Sequence, residues 1–122
     1  KIKDRVIFLG KSNEVERILC YSDLFLLPSE KESFGLAALE AMAHRVPIIS
    51  SNAGGLPEVN INGVSGYLSE VGDVESMAAN GIKILSNEKI LDDFKQGARK
   101  TAEKFDVEKI VCQYEMLYQQ MI

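Results

Sequence analysis

The sequence has no tryptophan, two cysteines, three prolines and a single histidine among its 122 residues. Each scarcity excludes something. Cys20 and Cys112 stand far apart and outside any Cys-x-x-Cys pair, and with His44 alone they assemble no zinc-ligand set. They read as two buried thiols in a reducing cytoplasm. No apolar run approaches the roughly 20 residues that a membrane helix requires. The longest candidate, Ala37 to Ile49, is broken by Glu40, His44, Arg45 and Pro47. Lys1 to Arg5 form a charged start with no apolar signal core behind them, so no export is expected. Basic charge is also short: 14 Lys and Arg against 18 Asp and Glu give a net charge of −4, with both signs interspersed. That is not the basic footprint of a nucleic-acid binder. What is present, 46% hydrophobic and 26% charged residues, suits one globular domain large enough to bury a core without staples.

Apolar runs alternate with helical patterns. Val6-Ile7-Phe8-Leu9 before Gly10 reads as a strand covered on both faces. Ser12 or Asn13 is positioned to cap a helix through Val15, Ile18 and Leu19, with Asn13 and Glu16 at capping-box spacing. Leu24 to Leu27, ended by Pro28, is a second strand, and Gly35 to Arg45 a second helix. Pro47 to Ser50 and Tyr67 to Ser69 are further strands. From Asp73 the pattern is wholly helical. Asp73 caps one segment, Asn87 a second, and Asp106 a third with an apolar stripe from Val107 to Met121. This order predicts an α/β fold: a three-layer, Rossmann-like parallel sheet with helices on both faces. Four strands are few for a doubly wound domain, so residues 1–122 read as one incomplete domain. An incomplete parallel sheet exposes an edge, from which self-association is expected.

In such sheets ligands sit beyond the carboxyl ends of the strands. The loop after Leu27 runs Pro28-Ser29-Glu30-Lys31-Glu32-Ser33-Phe34-Gly35-Leu36 and enters a helix. Free backbone N–H groups and the helix dipole there suit a phosphate, and Gly35 lets a ligand approach the backbone. Glu32 lies before the helix and Glu40 within it, about 7.5 Å along the axis from Gly35. Paired in this way, the carboxylates suit a sugar and a ribose on either side of a diphosphate. The residue types leave a second reading open, with Glu32 a helix-start acid and Glu40 a solvated helix residue. Against the second, Glu40 stands among Leu36, Ala37, Leu39, Ala41 and Ala43, as on a core-facing helix.

The string Glu32-Ser33-Phe34-Gly35-Leu36-Ala37-Ala38-Leu39-Glu40-Ala41-Met42-Ala43, then Val46-Pro47-Ile48-Ile49 and Gly54-Gly55-Leu56-Pro57-Glu58-Val59, resembles the retaining glycosyltransferases of the GT-B fold, family 4. Their C-terminal, donor-binding domain carries a Glu-x7-Glu motif, which Glu32 and Glu40 match. Ser29 to Leu36, Glu70 to Asp73 and Gln113 to Glu115 are most similar to the bacillithiol-pathway branch of that family, which joins N-acetylglucosamine to L-malate. The resemblance implies a UDP-sugar donor and an acceptor hydroxyl. It implies that Glu32 is catalytic, meeting the sugar hydroxyls and stabilising the transition state. Ser33, Phe34, Gly35, Leu36 and Ala37 then line the donor site, with backbone N–H groups of Phe34 to Leu36 toward sugar and phosphate and Ala37 at the phosphate end of the helix. Glu40 holds the ribose. No metal or other cofactor is expected.

The resemblance further places the acceptor domain, and the Arg and Lys that neutralise the diphosphate, upstream of the motif; Lys1, Lys3 and Lys11 do not occupy the matching positions. The last helix of that fold crosses to the acceptor domain, which accounts for the long stripe from Val107. His44-Arg45 departs from the small residue and Gly that the family commonly has before Val-Pro. His44 lies at the helix end away from the phosphate and reads as a structural or surface residue. Gly54-Gly55 before Pro57 suits either a turn or direct ligand contact. The competing reading of the whole chain is a stand-alone α/β binding or regulatory module without catalysis.

Overall fold

The computed structural model describes residues 2–105 and 119–120. The predicted helix capped by Asp106 therefore lies outside the described residues, apart from Gln119 and Gln120, which are helical. A single 3-10 turn, Lys3–Arg5, precedes α1 (Val15–Cys20), β1 (Phe25–Leu27), α2 (Leu36–Ala43), β2 (Ile48–Ser51), α3 (Leu56–Val59), β3 (Gly66–Ser69), α4 (Val74–Leu85) and α5 (Glu88–Glu103). The strands form a parallel sheet in the order β1-β2-β3, with Phe25 opposite Ile48 and Ile48 opposite Gly66. β2 is central, and all four of its residues are buried.

The pleat sends alternate side chains to opposite faces, and the two faces carry separate cores. Phe25, Leu27 and Ile48 pack with Ala38, Ala41 and Met42 of α2, Leu56 and Val59 of α3 and Ala98 of α5. Ile49 packs on the other face with Ile84 of α4 and Phe94 of α5. This is the three-layer α/β arrangement expected from the sequence. Met42, Ile48, Ile49 and Leu56 are fully buried, each contributing about 1.5–3 kcal/mol. Asp73 accepts a hydrogen bond from Ser76 N–H at 3.1 Å, and Asn87 accepts from Lys89 and Ile90 N–H at 2.7 and 3.3 Å, so both predicted caps form.

Four expectations are corrected. Val6–Leu9 is not a strand; Ile7 is 80% and Phe8 95% exposed. A strand forms only against a neighbour. None of the described residues pairs with this segment, so its backbone groups have no ladder to join. The capping box at Asn13 does not form either: α1 begins after Glu14, whose N–H donates to Ser12 Oγ at 3.0 Å. Cys20 is exposed rather than buried, because α1 turns only Leu19 fully into the core; Cys112 lies outside the described residues. Finally, Leu56–Val59 is helical, a one-turn element missed because Gly-Gly-x-Pro resembles a plain turn. Pro57 fits there, since the first turn of a helix has no use for its missing N–H.

Candidate functional site at the start of α2

The carboxyl ends of β1 and β2 face one edge of the molecule, and the loop from Pro28 to Gly35 lies across it. Gly35 is the N-cap of α2 at φ +89°, a left-handed conformation that turns the chain sharply into the helix. No side chain caps α2, and its first turn holds no acid. By contrast α4 and α5 are capped by Asp73 and Asn87 and carry Glu75 and Glu88 in their first turns. The N–H groups at the start of α2 are thus left for an anion, with the helix dipole behind them.

Around this start the candidate residues take distinct places. Glu32 is half-buried, and its Oε2 accepts a hydrogen bond from Ser29 Oγ at 3.3 Å. Ser33 is exposed. Phe34 sets its ring edge-on against Phe105, just beyond α5, centroids 6.3 Å apart, and stays partly exposed. Leu36 and Ala37 are exposed on the first turn.

Glu40 is exposed too, one turn beyond Leu36. It does not face the core as its apolar neighbours suggest. The buried stripe of α2 is Ala38, Ala41 and Met42, and Glu40 falls outside it. No partner is then needed to compensate a buried charge, and the carboxylate is open to a polar ligand. Gly35 is also buried, not open to a ligand from its Cβ side: a Cβ there would sit 3.0 Å from Leu56 Cδ2. Its glycine is required by the positive φ and by packing.

His44 caps the opposite end of α2, its Nδ1 2.9 Å from the Glu40 carbonyl oxygen, in keeping with a structural role. Arg45 follows with φ +65°, the one non-glycine positive φ among the described residues. Gly54 and Gly55 form a turn, one of their two expected readings, and the turn packs on the Glu32 loop. Gly55 N–H donates to the Glu32 carbonyl at 3.3 Å, and Gly54 packs directly on the same backbone. This contact between distant segments had no signal in the sequence beyond the paired glycines. At the carboxyl ends of β2 and β3 a cavity of ≈ 540 Å³ opens, lined by Asn52, Pro57, Ser69, Glu70 and Asp73 among others.

The family of glycosyl transferases group 1 matches residues 1–101. This chain belongs to that family. Across 118 residues it is 51% identical to the N-acetyl-alpha-D-glucosaminyl L-malate synthase of Bacillus anthracis, covering 96% of this chain and 31% of that protein. It is 31% identical to the sulfoquinovosyl transferase of Arabidopsis thaliana, over 82% of this chain and 21% of that one. Among solved structures, Anabaena HepE in complex with UDP superposes with a TM-score of 0.91 at 26% identity, covering 98% of this chain and 33% of HepE. The chain thus spans about a third or less of the length of these relatives.

Proposed function

We propose that this chain is the donor-binding part of a retaining glycosyltransferase of the GT-B fold, family 4. It takes N-acetylglucosamine, or another hexose, from a UDP-sugar to an acceptor hydroxyl, with L-malate as the acceptor. The observation that carries the reading is the uncapped start of α2, with Glu32 before it and an exposed Glu40 one turn beyond it. The 51% likeness to the malate synthase supports the sugar and acceptor, and the likeness to HepE with UDP supports the nucleotide.

In this reading the diphosphate rests on the N–H groups of α2, the ribose hydroxyls donate to Glu40, and the sugar hydroxyls meet Glu32. The bond from the anomeric carbon to the leaving phosphate oxygen breaks as the acceptor oxygen bonds to the same face. The acceptor proton passes to the phosphate oxygen, so no protein nucleophile and no metal enters the scheme. Catalysis rests on positioning and on stabilising the departing charge. The acceptor site and the basic groups for the diphosphate come from the rest of the protein, which works in the cytoplasm in bacillithiol synthesis. The open edge of β1 favours self-association of this part alone.

Calorimetric titration with UDP-N-acetylglucosamine, UDP and GDP tests the donor assignment. Uridine-selective binding that is lost in Glu40→Ala is expected. Equal affinity for GDP, or binding indifferent to Glu40, overturns the uridine or ribose assignment respectively.

A further inference from the structure

The loop that carries Glu32 has little backbone structure of its own. From Pro28 to Phe34 it is neither helix nor strand, and among the described residues its backbone hydrogen bond to the rest of the fold runs from Gly55 N–H to the Glu32 carbonyl. Two hydroxyls supply what the backbone does not. Ser51 is the last residue of β2, and its Oγ donates to the carbonyl oxygen of Ser29. Ser29 Oγ in turn donates to Oε2 of Glu32 at 3.3 Å.

Ser51 is a firm anchor. It is fully buried, and β2 is held by β1 on one side and β3 on the other. Its neighbour Ser50 is engaged elsewhere, accepting from Asn60 Nδ2 at 2.9 Å, so the two adjacent hydroxyls serve opposite faces of the strand. A buried hydroxyl costs free energy unless it is hydrogen-bonded, and alanine fills the same strand position without that demand. The Ser51 hydroxyl finds its partner on the loop, and through Ser29 its influence ends on a carboxylate.

We propose that Ser51 and Ser29 are positioning residues for Glu32, a two-step relay that fixes the carboxylate relative to the start of α2. The inference rests on the donor-site reading above. Neither serine touches the donor; both act through Glu32. Removing either hydroxyl frees the carboxylate to swing, and a displacement of about 1 Å at a catalytic group costs up to roughly a hundredfold in rate.

The test is a double-mutant cycle on the full-length protein, following sugar transfer from UDP-N-acetylglucosamine to L-malate, together with UDP affinity and thermal unfolding. Ser29→Ala and Ser51→Ala are each expected to lower kcat roughly tenfold or more with KM for the donor and UDP affinity nearly unchanged. The double variant is expected to be no worse than the poorer single one, because both hydroxyls act in one relay. Ser51→Thr, which restores a hydroxyl, is expected to recover most of kcat. Wild-type kcat in Ser29→Ala, multiplicative losses, or losses that track Tm and UDP affinity overturn the proposal. Ser29 is half-buried on a loop, so its variant decides the matter even where Ser51→Ala does not fold. A wild-type protein that transfers no sugar and binds no UDP overturns the donor-site reading instead.

Discussion

Glu40, Gly54 and Arg45 separate binding, geometry and stability. Glu40 is exposed and adds nothing to the core, since the packed residues of α2 are Ala38, Ala41 and Met42. Glu40→Ala is therefore expected to weaken UDP binding roughly tenfold, as loss of hydrogen bonds to a charged group does, while Tm stays within about a degree. Calorimetry and thermal unfolding on the same samples check both halves. Gly54 gives the opposite pattern. Its φ is +53°, and an added Cβ would lie 1.5 Å from the Glu32 carbonyl oxygen. Gly54→Ala is expected to destabilise by about 1–3 kcal/mol and to displace the Glu32 loop, seen as a lower denaturant midpoint together with lost donor binding. Arg45 stands where a helix normally ends on glycine, with φ +65° and its side chain exposed. Arg45→Gly is expected to raise stability by about 0.5–1 kcal/mol, measured as an upward shift in Tm.

The elements are joined by a few contacts that helix or strand propensity does not foresee. Asn60, just after α3, is fully buried between β2 and β3. Its Nδ2 lies within 3.3 Å of the Ile48 carbonyl and 3.1 Å of the Tyr67 carbonyl, and its Oδ1 accepts from Ser65 Oγ at 2.8 Å. One side chain thus fastens the connection between adjacent parallel strands. In α5, Gly97 lies mid-helix, where alanine usually gains about 1 kcal/mol. Here an added Cβ would meet the Val64 carbonyl oxygen at 2.1 Å. Gly97→Ala is expected to destabilise the protein despite its better propensity, and chemical denaturation gives the sign directly. The caps at Asp73 and Asn87 needed no such context, because each bonds N–H groups within its own turn.

Across the whole fold, the decisive feature is the side of β1 that no described residue pairs. Leu26 is 63% exposed there and lines an apolar groove of ≈ 460 Å³ with Leu24, Met77, Ile82 and Leu85. Ile7 and Phe8 add further apolar surface. An open parallel edge beside an apolar groove is a template for association. Sedimentation of this chain at increasing concentration is expected to show dimers or larger species, reduced in Leu26→Lys. A monomer at all concentrations contradicts that expectation.

The sequence by itself determined what is local. Alternation of apolar runs with capped helical stripes specified the α/β class, the three strands that form and the starts of α4 and α5, because each signal lies within a few residues of the structure it produces. The Glu32 to Glu40 segment was legible for the same reason: a loop, a helix start and two carboxylates lie in one continuous stretch. Only the tertiary structure decided what depends on distant neighbours. Val6–Leu9 has the composition of a strand and, among the described residues, no strand beside it. Glu40 has apolar neighbours in sequence and solvent in space, since the helix turns a different stripe to the sheet. Ser51 at the end of β2, and Gly54 and Gly55 just after it, lie beyond α2 from Glu32, and they meet its loop only when β2 is laid beside β1.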